Sequence, residues 1–108
     1  MIVSNIFSFG MLDESKSVLF VEEVSLDSAR QLVSSQPITS IVMHKGTAAV
    51  FSTLLKTEIK QTRSHVYLKD GESMLIGVHR GVRISDDDIY LPDGAAIKWF
   101  YVSVESDE

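Results

Sequence analysis

The sequence predicts a single α/β domain, with a mixed or largely antiparallel sheet of about five to six strands and two main helices. Two segments, 25–35 and 46–56, repeat apolar residues at the spacing of a helix face. Elsewhere, β-branched and aromatic residues form runs of strand length. A chain of 108 residues suits one domain with one core, so we take residues 1–108 as a single unit.

The first half of the chain predicts two strands, a helix and a third strand. The strand-like runs are IVSNIF, near the start, and SVLFVEEV, with the polar DESKS between them. Ser25 then precedes an amphipathic pattern with an acidic residue in its first turn, which predicts an N-capped helix. Pro37 ends that helix, and the following ITSIVM predicts a short buried strand.

The second half predicts one more helix and two hairpins. The helix is GTAAVFSTLLK, with one wide apolar face. The segment HVYLKDGESMLIGVHRGVR predicts two strands around KDGE, because glycine supplies the positive φ that a tight turn needs. The segment IYLPDGAAIKWFYVSV predicts another pair around PDG. Residues 105–108, ESDE, are polar, and we expect a frayed tail.

Composition excludes several classes of protein. The chain has no cysteine, so disulfides and cysteine-based zinc or iron–sulfur sites are excluded. No stretch approaches the ~20 apolar residues of a membrane helix, and the N-terminus lacks the basic lead and apolar core of a signal peptide. We therefore expect a cytoplasmic protein with no membrane partner. The net charge of −5 argues against duplex nucleic acid as a partner of this protein.

The charge is unevenly distributed. Residues 1–43 hold two basic and five acidic residues, and residues 84–108 hold one basic and seven acidic residues. Residues 44–83 hold seven basic and three acidic residues together with all three histidines. This middle segment is either a chance cluster of solvated lysines or the site of a compact anion on an otherwise acidic protein.

His44 lies where an apolar run changes into the second helix, and it has three possible roles: a structural residue, a helix cap or a proton donor. Lys45, Gly46 and Thr47 follow it and offer a charge, a close backbone approach and a hydroxyl at a helix start. Those groups suit either a phosphate or a simple N-cap. The residues alone leave both interpretations open.

Each of the other candidate polar residues has both a structural and a functional interpretation. Asn5 and Ser8 at the exit of the first strand commonly just satisfy a turn. Arg80 and Arg83 can bind phosphate or form surface ion pairs with the acidic residues 86–88. Three consecutive carboxylates cannot all face one ion from a strand, and no EF-hand spacing is present. No hydrolase, zinc-protease or nucleotide-loop motif occurs. We expect neither a metal nor a cofactor, and we interpret His65 and His79 as structural.

Several ordered segments together resemble the type III anti-CRISPR ring nucleases, small α/β proteins of archaeal viruses, bacteriophages and mobile elements. The resemblance runs from residue 1 to about residue 88. Its strongest part is S-x-x-x-H-x-x-T-A followed by a helix pattern, in SIVMHKGTAAVFSTLL. The supporting parts are SNIFSFGML, SLDSARQLV, Arg63 and GESMLIGVHRGVRISD.

The resemblance implies a homodimer that binds cyclic tetra-adenylate and cuts it without a metal into short linear adenylates ending in a cyclic phosphate. It puts the catalytic histidine at His44, the serine at Ser8 and a ligand-contacting arginine at Arg63. The strand-end arginine falls on Arg83, with Arg80 competing, and the acidic partner falls on Asp86. Strand alternation predicts that Arg80 and Arg83 face opposite sides of the sheet unless Gly81 introduces a bulge.

The chain departs from the family pattern in three places. Asp86 stands where the family has glutamate, Met43 stands where it has glycine, and PDG replaces a longer helical insertion. The first and third departures affect the acidic role and the rim of the pocket.

Residue chemistry gives the expected mechanism once this ligand is accepted. A ribose 2′-hydroxyl attacks the neighbouring phosphate, and His44 protonates the leaving 5′-oxygen. Asp86 holds the ring, Arg83 and the helix amides stabilise the developing charge, and Ser8 with Asn5 holds the ribose. The alternatives are a non-catalytic binder of the messenger and a small viral nucleic-acid-binding protein.

Overall fold

A five-stranded mixed sheet organises the chain in the computed structural model, which describes residues 1–13 and 17–106. The elements in chain order are β1 (Ile2–Ser4), β2 (Ser17–Val24), α1 (Leu26–Ser34), β3 (Thr39–Ser40), α2 (Lys45–Leu55), β4 (Ser73–Gly81) and β5 (Ala95–Ser106). A short 3-10 helix, Phe9–Met11, follows β1. The predicted fold class, one α/β domain with a mixed sheet and two helices, is confirmed.

The strand order is β2-β5-β4-β1-β3. β1 pairs in parallel with both β3 and β4. β5 pairs antiparallel with both β4 and β2. Because β1, β3 and β4 run in the same direction, their carboxyl ends meet at one edge of the sheet, where open α/β sheets commonly place ligand sites.

The two predicted hairpins are wrong, because residues 65–68 and 89–91 form no strands in the sheet. The two edges of β4 are already paired, one with β1 and one with β5, and those of β5 are paired with β4 and β2. No free edge therefore remains beside either strand for a local hairpin partner. Leu68 instead forms an isolated bridge with Leu12 and is buried, whereas Gly71 adopts the positive φ of 83° expected at the KDGE turn.

The frayed tail was expected from residue 105, but β5 continues through Ser106. Val18 pairs with Glu105 and Ser17 with Ser106, so β2 holds the end of β5 in the sheet. Only 107–108 of the expected tail, like 14–16 of the polar DESKS segment, lie outside the described residues.

Both helices cover one face of the sheet. The Ser25 side chain accepts a hydrogen bond from the Ser28 amide, which confirms the predicted N-cap of α1. The rings of Phe51 and Trp99 lie 4.9 Å apart over Gly77, where a Cβ atom would approach both rings within 3 Å. Glycine at this position therefore lets α2 pack directly on β4.

The opposite face of the sheet is apolar and only partly covered. It leaves an open groove with a volume of about 500 Å³. We call it the sheet groove. Its lining residues are Asn5, Ile6, Phe7, Leu19, Val21, Ile76, Val78, Phe100 and Val102.

Candidate functional site

A cavity of about 260 Å³ lies at the edge where the parallel strands β1 and β4 end, beside the start of α2. We call it the His44 cavity. Its lining residues are Asn5, His44, Thr47, His79, Arg83 and Ile84. They come from four separate stretches of the chain, and five of the six carry polar or charged side chains suited to a polar ligand.

His44 is the N-cap of α2. Its Nδ1 accepts a hydrogen bond from the Thr47 amide at 3.1 Å and lies 2.9 Å from the Thr47 hydroxyl. Its carbonyl accepts from the Ala48 amide, which begins the helical hydrogen-bond pattern. The helix-cap interpretation of His44 is therefore correct, and it leaves the proton-donor role open.

The other nitrogen of the same ring contacts a carboxylate. Nε2 of His44 lies 2.8 Å from Oδ1 of Asp86. Because Nδ1 accepts the Thr47 amide proton, the ring proton of the neutral imidazole sits on Nε2 and points to Asp86. The His44 side chain is 34% exposed and the Asp86 side chain 73%, so this pair lies at the mouth of the cavity rather than in the core.

The loop that carries Asp86 is held against the first turn of α2. A Cβ atom on Gly46 would come within 1.7 Å of the Ser85 carbonyl oxygen, so the close approach at Gly46 is used by the chain itself. The Ser85 amide donates to Asp88, and the Thr53 hydroxyl donates to the Ile89 carbonyl. These contacts fix the position of Asp86.

Arg83 lines the His44 cavity, and Arg80 does not. β4 ends at Gly81, whose φ is 86°, and the chain then turns toward α2. A Cβ atom on Gly81 would lie 2.1 Å from the Gly94 carbonyl oxygen, so this backbone course requires glycine. Arg80 is still in the strand and shares the face of Ile76 and Val78, which is the side of the sheet groove.

Asn5 and Ser8 differ in position. Asn5 follows β1 directly and lines both the His44 cavity and the sheet groove. Ser8 caps the 3-10 helix, where its hydroxyl accepts a hydrogen bond from the Gly10 amide, and it does not line the His44 cavity. Ser8 therefore fulfils the turn role that short polar residues commonly have after a strand.

Lys45 and Arg63 are exposed and do not line the His44 cavity. Lys45 is the first residue of α2, next to His44, and Arg63 lies in the irregular segment between α2 and β4. Both side chains are available to solvent on the described surface. Any contact with a ligand there would involve a molecule that extends beyond the cavity.

His79 and the apolar Ile84 line the His44 cavity although neither was predicted as a site residue. Of the two, His79 carries a chemically functional side chain. The strand pattern alone suggested a structural residue, yet His79 lines the same cavity as His44. Its Nε2 is hydrogen-bonded to the Val82 carbonyl. Strand alternation was the available signal, because His79 shares a face with Gly77 and therefore with α2.

Residues 1–13 and 17–106 contain neither a metal-binding cluster nor a membrane-spanning helix. In this part of the chain, no group of three or more histidine, aspartate or glutamate side chains is arranged to hold a metal ion. No helix in those residues has the length and apolar character needed to span a membrane.

Comparison with known proteins identifies relatives in archaeal viruses. A family model described as STIV B116-like matches residues 1–92. The uncharacterized protein ORF116 of Acidianus filamentous virus 1 (isolate United States/Yellowstone) is 29% identical over an alignment of 109 residues. The alignment covers 94% of this chain and 93% of that protein. The uncharacterized protein 26 of Sulfolobus islandicus filamentous virus (isolate Iceland/Hveragerdi) is 28% identical over 58 residues, or 54% of this chain and 49% of that protein.

The structural comparison agrees on the fold. B116 of Sulfolobus turreted icosahedral virus superposes with a TM-score of 0.76 at 18% sequence identity. The match covers 94% of this chain and 97% of that chain. At this identity the likeness establishes the arrangement of strands and helices, and the chemistry of the site has to be argued from its own residues.

Proposed function

The chain belongs to the STIV B116-like family, and we propose that it is a metal-independent ring nuclease that binds and cleaves cyclic tetra-adenylate. Its activity would counter type III CRISPR signalling in the cytoplasm of the host cell. The observation that carries this proposal is the His44 imidazole, held between Asp86 and Thr47 in a cavity that also contains Arg83. A proton donor beside a guanidinium suits the cleavage of a phosphodiester.

The proposed reaction needs only groups of the ligand and of this chain. The 2′-oxygen of a ribose forms a bond to the adjacent phosphorus, the bond from phosphorus to the 5′-oxygen breaks, and His44 supplies the proton that the leaving oxygen takes up. Arg83 faces the same space and would stabilise the negative charge that develops on the phosphate. Asn5 would hold the ribose in the geometry of attack. The role of Ser8 rests on the resemblance alone.

Thr47 and Asp86 together suit a histidine that changes its protonation state. When His44 is neutral, the Thr47 hydroxyl can donate to Nδ1 at 2.9 Å. When the ring is an imidazolium, Nδ1 no longer accepts from the Thr47 amide. The Thr47 hydroxyl can then accept from Nδ1–H, and Asp86 can pair with Nε2–H. The leaving oxygen of the ligand would then replace the exposed Asp86 carboxylate at Nε2.

A dimer is part of the proposal, and the sheet groove suits its interface. One subunit offers a cavity of about 260 Å³, which is small for a ring of four nucleotides. The groove exposes large apolar side chains, including Ile6 and Val21 at 48% and 61% exposure. Asn5 lines both spaces, so a second copy on the groove would border the His44 cavity. A two-fold axis would double each contact with the ring.

The remaining proposed ligand contacts are Lys45, Gly46, Thr47 and Arg63. Lys45 and Arg63 would meet phosphates outside the cavity, because both are exposed and cationic. Gly46 would act indirectly, since its Cα faces the Ser85 carbonyl.

The test is direct. Purified protein is incubated with cyclic tetra-adenylate in EDTA, and the products are separated by chromatography. Linear adenylates with a 2′,3′-cyclic phosphate and a 5′-hydroxyl would support the proposal. Tight binding without cleavage would contradict the nuclease proposal and favour a non-catalytic binder of the messenger. Binding of duplex nucleic acid instead of the ring would favour the nucleic-acid-binding alternative.

A further inference from the structure

We propose that His79 is the general base of the reaction and takes the proton of the attacking 2′-hydroxyl. This inference rests on the proposed function and extends it, because attack by a hydroxyl on a phosphate is assisted by a base as well as by an acid. His44 accounts for the acid. Among the described residues, His79 is the other imidazole that lines the His44 cavity.

The contacts of His79 leave one ring nitrogen available. Its Nε2 is hydrogen-bonded to the Val82 carbonyl, and a carbonyl oxygen can only accept. Nε2 therefore carries the proton, and the neutral ring has its lone pair on Nδ1. Within residues 1–13 and 17–106, Nδ1 of His79 makes no hydrogen bond. A fixed tautomer with a free lone pair is the state that a general base requires.

The backbone at the end of β4 fixes this tautomer. Gly81, with its φ of 86°, turns the chain so that the Val82 carbonyl comes back to the His79 ring three residues earlier. A structural histidine in a strand would need no such contact. The contact therefore holds the exposed His79 side chain in one orientation beside the cavity.

The two histidines have complementary environments. Nε2 of His44 faces the Asp86 carboxylate, which can accept its proton in a hydrogen bond. His79 has no carboxylate partner in the described residues, and the Arg83 guanidinium, which has no acceptor atom, shares its cavity. The other strands of the sheet add no charge there, because β5 places Ile97 opposite His79 and the uncharged Asn5 follows the end of β1.

The proposed step forms one bond to phosphorus and breaks another, and each histidine transfers one proton. The 2′-hydroxyl proton passes to Nδ1 of His79 while the bond between the 2′-oxygen and phosphorus forms. The bond between phosphorus and the 5′-oxygen breaks, and the 5′-oxygen receives the proton from His44. The products are a 2′,3′-cyclic phosphate and a 5′-hydroxyl, and the two histidines exchange protons with water before the next cleavage.

The test uses His79→Gln, because the glutamine amide nitrogen can replace Nε2 as the donor to the Val82 carbonyl but cannot accept a proton. Single-turnover cleavage of cyclic tetra-adenylate is measured from about pH 5 to about pH 9, the range in which imidazole titrates. Binding is measured with the 2′-deoxy ring, which lacks the nucleophile. His65→Gln, at an exposed histidine outside the cavity, is the matched control.

We expect His79→Gln to cut more slowly by about 10²–10⁴-fold and to bind the 2′-deoxy ring as the unaltered protein does. The unaltered protein should lose rate toward acidic pH as its base is protonated, and the variant should lack that acidic limb. An unchanged rate, or a slower rate that keeps the acidic limb, would overturn the role of His79 and leave the ring-nuclease proposal standing. Failure of the unaltered protein to cleave would overturn both.

Discussion

Nε2 of His44 lies 2.8 Å from Oδ1 of Asp86, while Nδ1 of the same ring accepts the Thr47 amide proton at the start of α2. One side chain thus caps a helix and presents a proton at the mouth of a cavity. Because both contacts use the same ring, replacement of His44 changes stability and chemistry together. A variant that keeps the cap and loses the proton separates the two.

His44→Ala should lower the single-turnover rate by about 10²–10⁴-fold and leave affinity for the ring largely intact, because one imidazole contributes little to holding a polyanion. It should also lower the free energy of unfolding by about 0.5–2 kcal/mol, since α2 loses its cap. His44→Asn is the matched control. Its amide oxygen can accept from Thr47, so denaturant unfolding should recover while cleavage stays slow. If His44→Asn cleaves normally, His44 is only a cap.

Asp86→Asn should slow cleavage by about tenfold or more, because the amide can still accept from Nε2–H but no longer stabilises an imidazolium by charge. Asp87→Asn is the control, since Asp87 is the neighbouring exposed carboxylate and takes no part in the pair with His44. Single-turnover rates of the two variants provide the measurement. Equal rates in both would remove Asp86 from the mechanism.

Arg83→Ala should reduce both affinity for the ring and the cleavage rate, because Arg83 lines the His44 cavity. Arg80→Ala, on the side of the sheet groove, should change affinity by less than about tenfold, or ~1.4 kcal/mol. Titration with the 2′-deoxy ring and single-turnover kinetics measure the two effects. The reverse pattern would give the phosphate-binding role to Arg80 and remove Asp86 from the proposed mechanism.

The protein should be a symmetric dimer, with a mass by light scattering about twice the 12.0 kDa of one chain. Val21→Asp, at a 61% exposed position in the sheet groove, should produce the monomer, because a charge would be buried at the interface. Val18→Asp is the control, since Val18 lies in the same strand with its side chain on the other face. A strict monomer for the unaltered protein, with and without the ring, would contradict the dimer.

Gly46→Ala should destabilise the fold by about 1–3 kcal/mol, because the new methyl group would collide with the Ser85 carbonyl. It should also slow cleavage by displacing the loop that carries Asp86. Gly10→Ala is the control, since a Cβ there would make only an ordinary contact, 3.4 Å from the Ser8 hydroxyl. The thermal unfolding midpoints of both variants are the measurement. Equal midpoints would show that the loop moves aside without loss of stability.

The sequence by itself predicted those features that depend on local patterns. The amphipathic spacing after Ser25 gave α1 with its cap, and the apolar face after His44 gave α2. SVLFVEEV became β2 without a change of bounds. These elements follow from side-chain periodicity and from capping groups within a few residues, so neighbouring tertiary contacts were not needed to recognise them.

Tertiary structure decided the partners of the strands and the contents of the cavity. HVYL resembled a hairpin strand, but both edges of β4 are taken by strands distant in sequence. Asn5, His44, His79 and Arg83 meet because β1, β3 and β4 run parallel and end at one edge, and strand order is not encoded in any local pattern. Gly46 and Gly81 gave a signal only as flexible residues. Gly46 packs against the Ser85 carbonyl and Gly81 against the Gly94 carbonyl, and both contacts depend on long-range packing. The same packing brings Asp86 to His44.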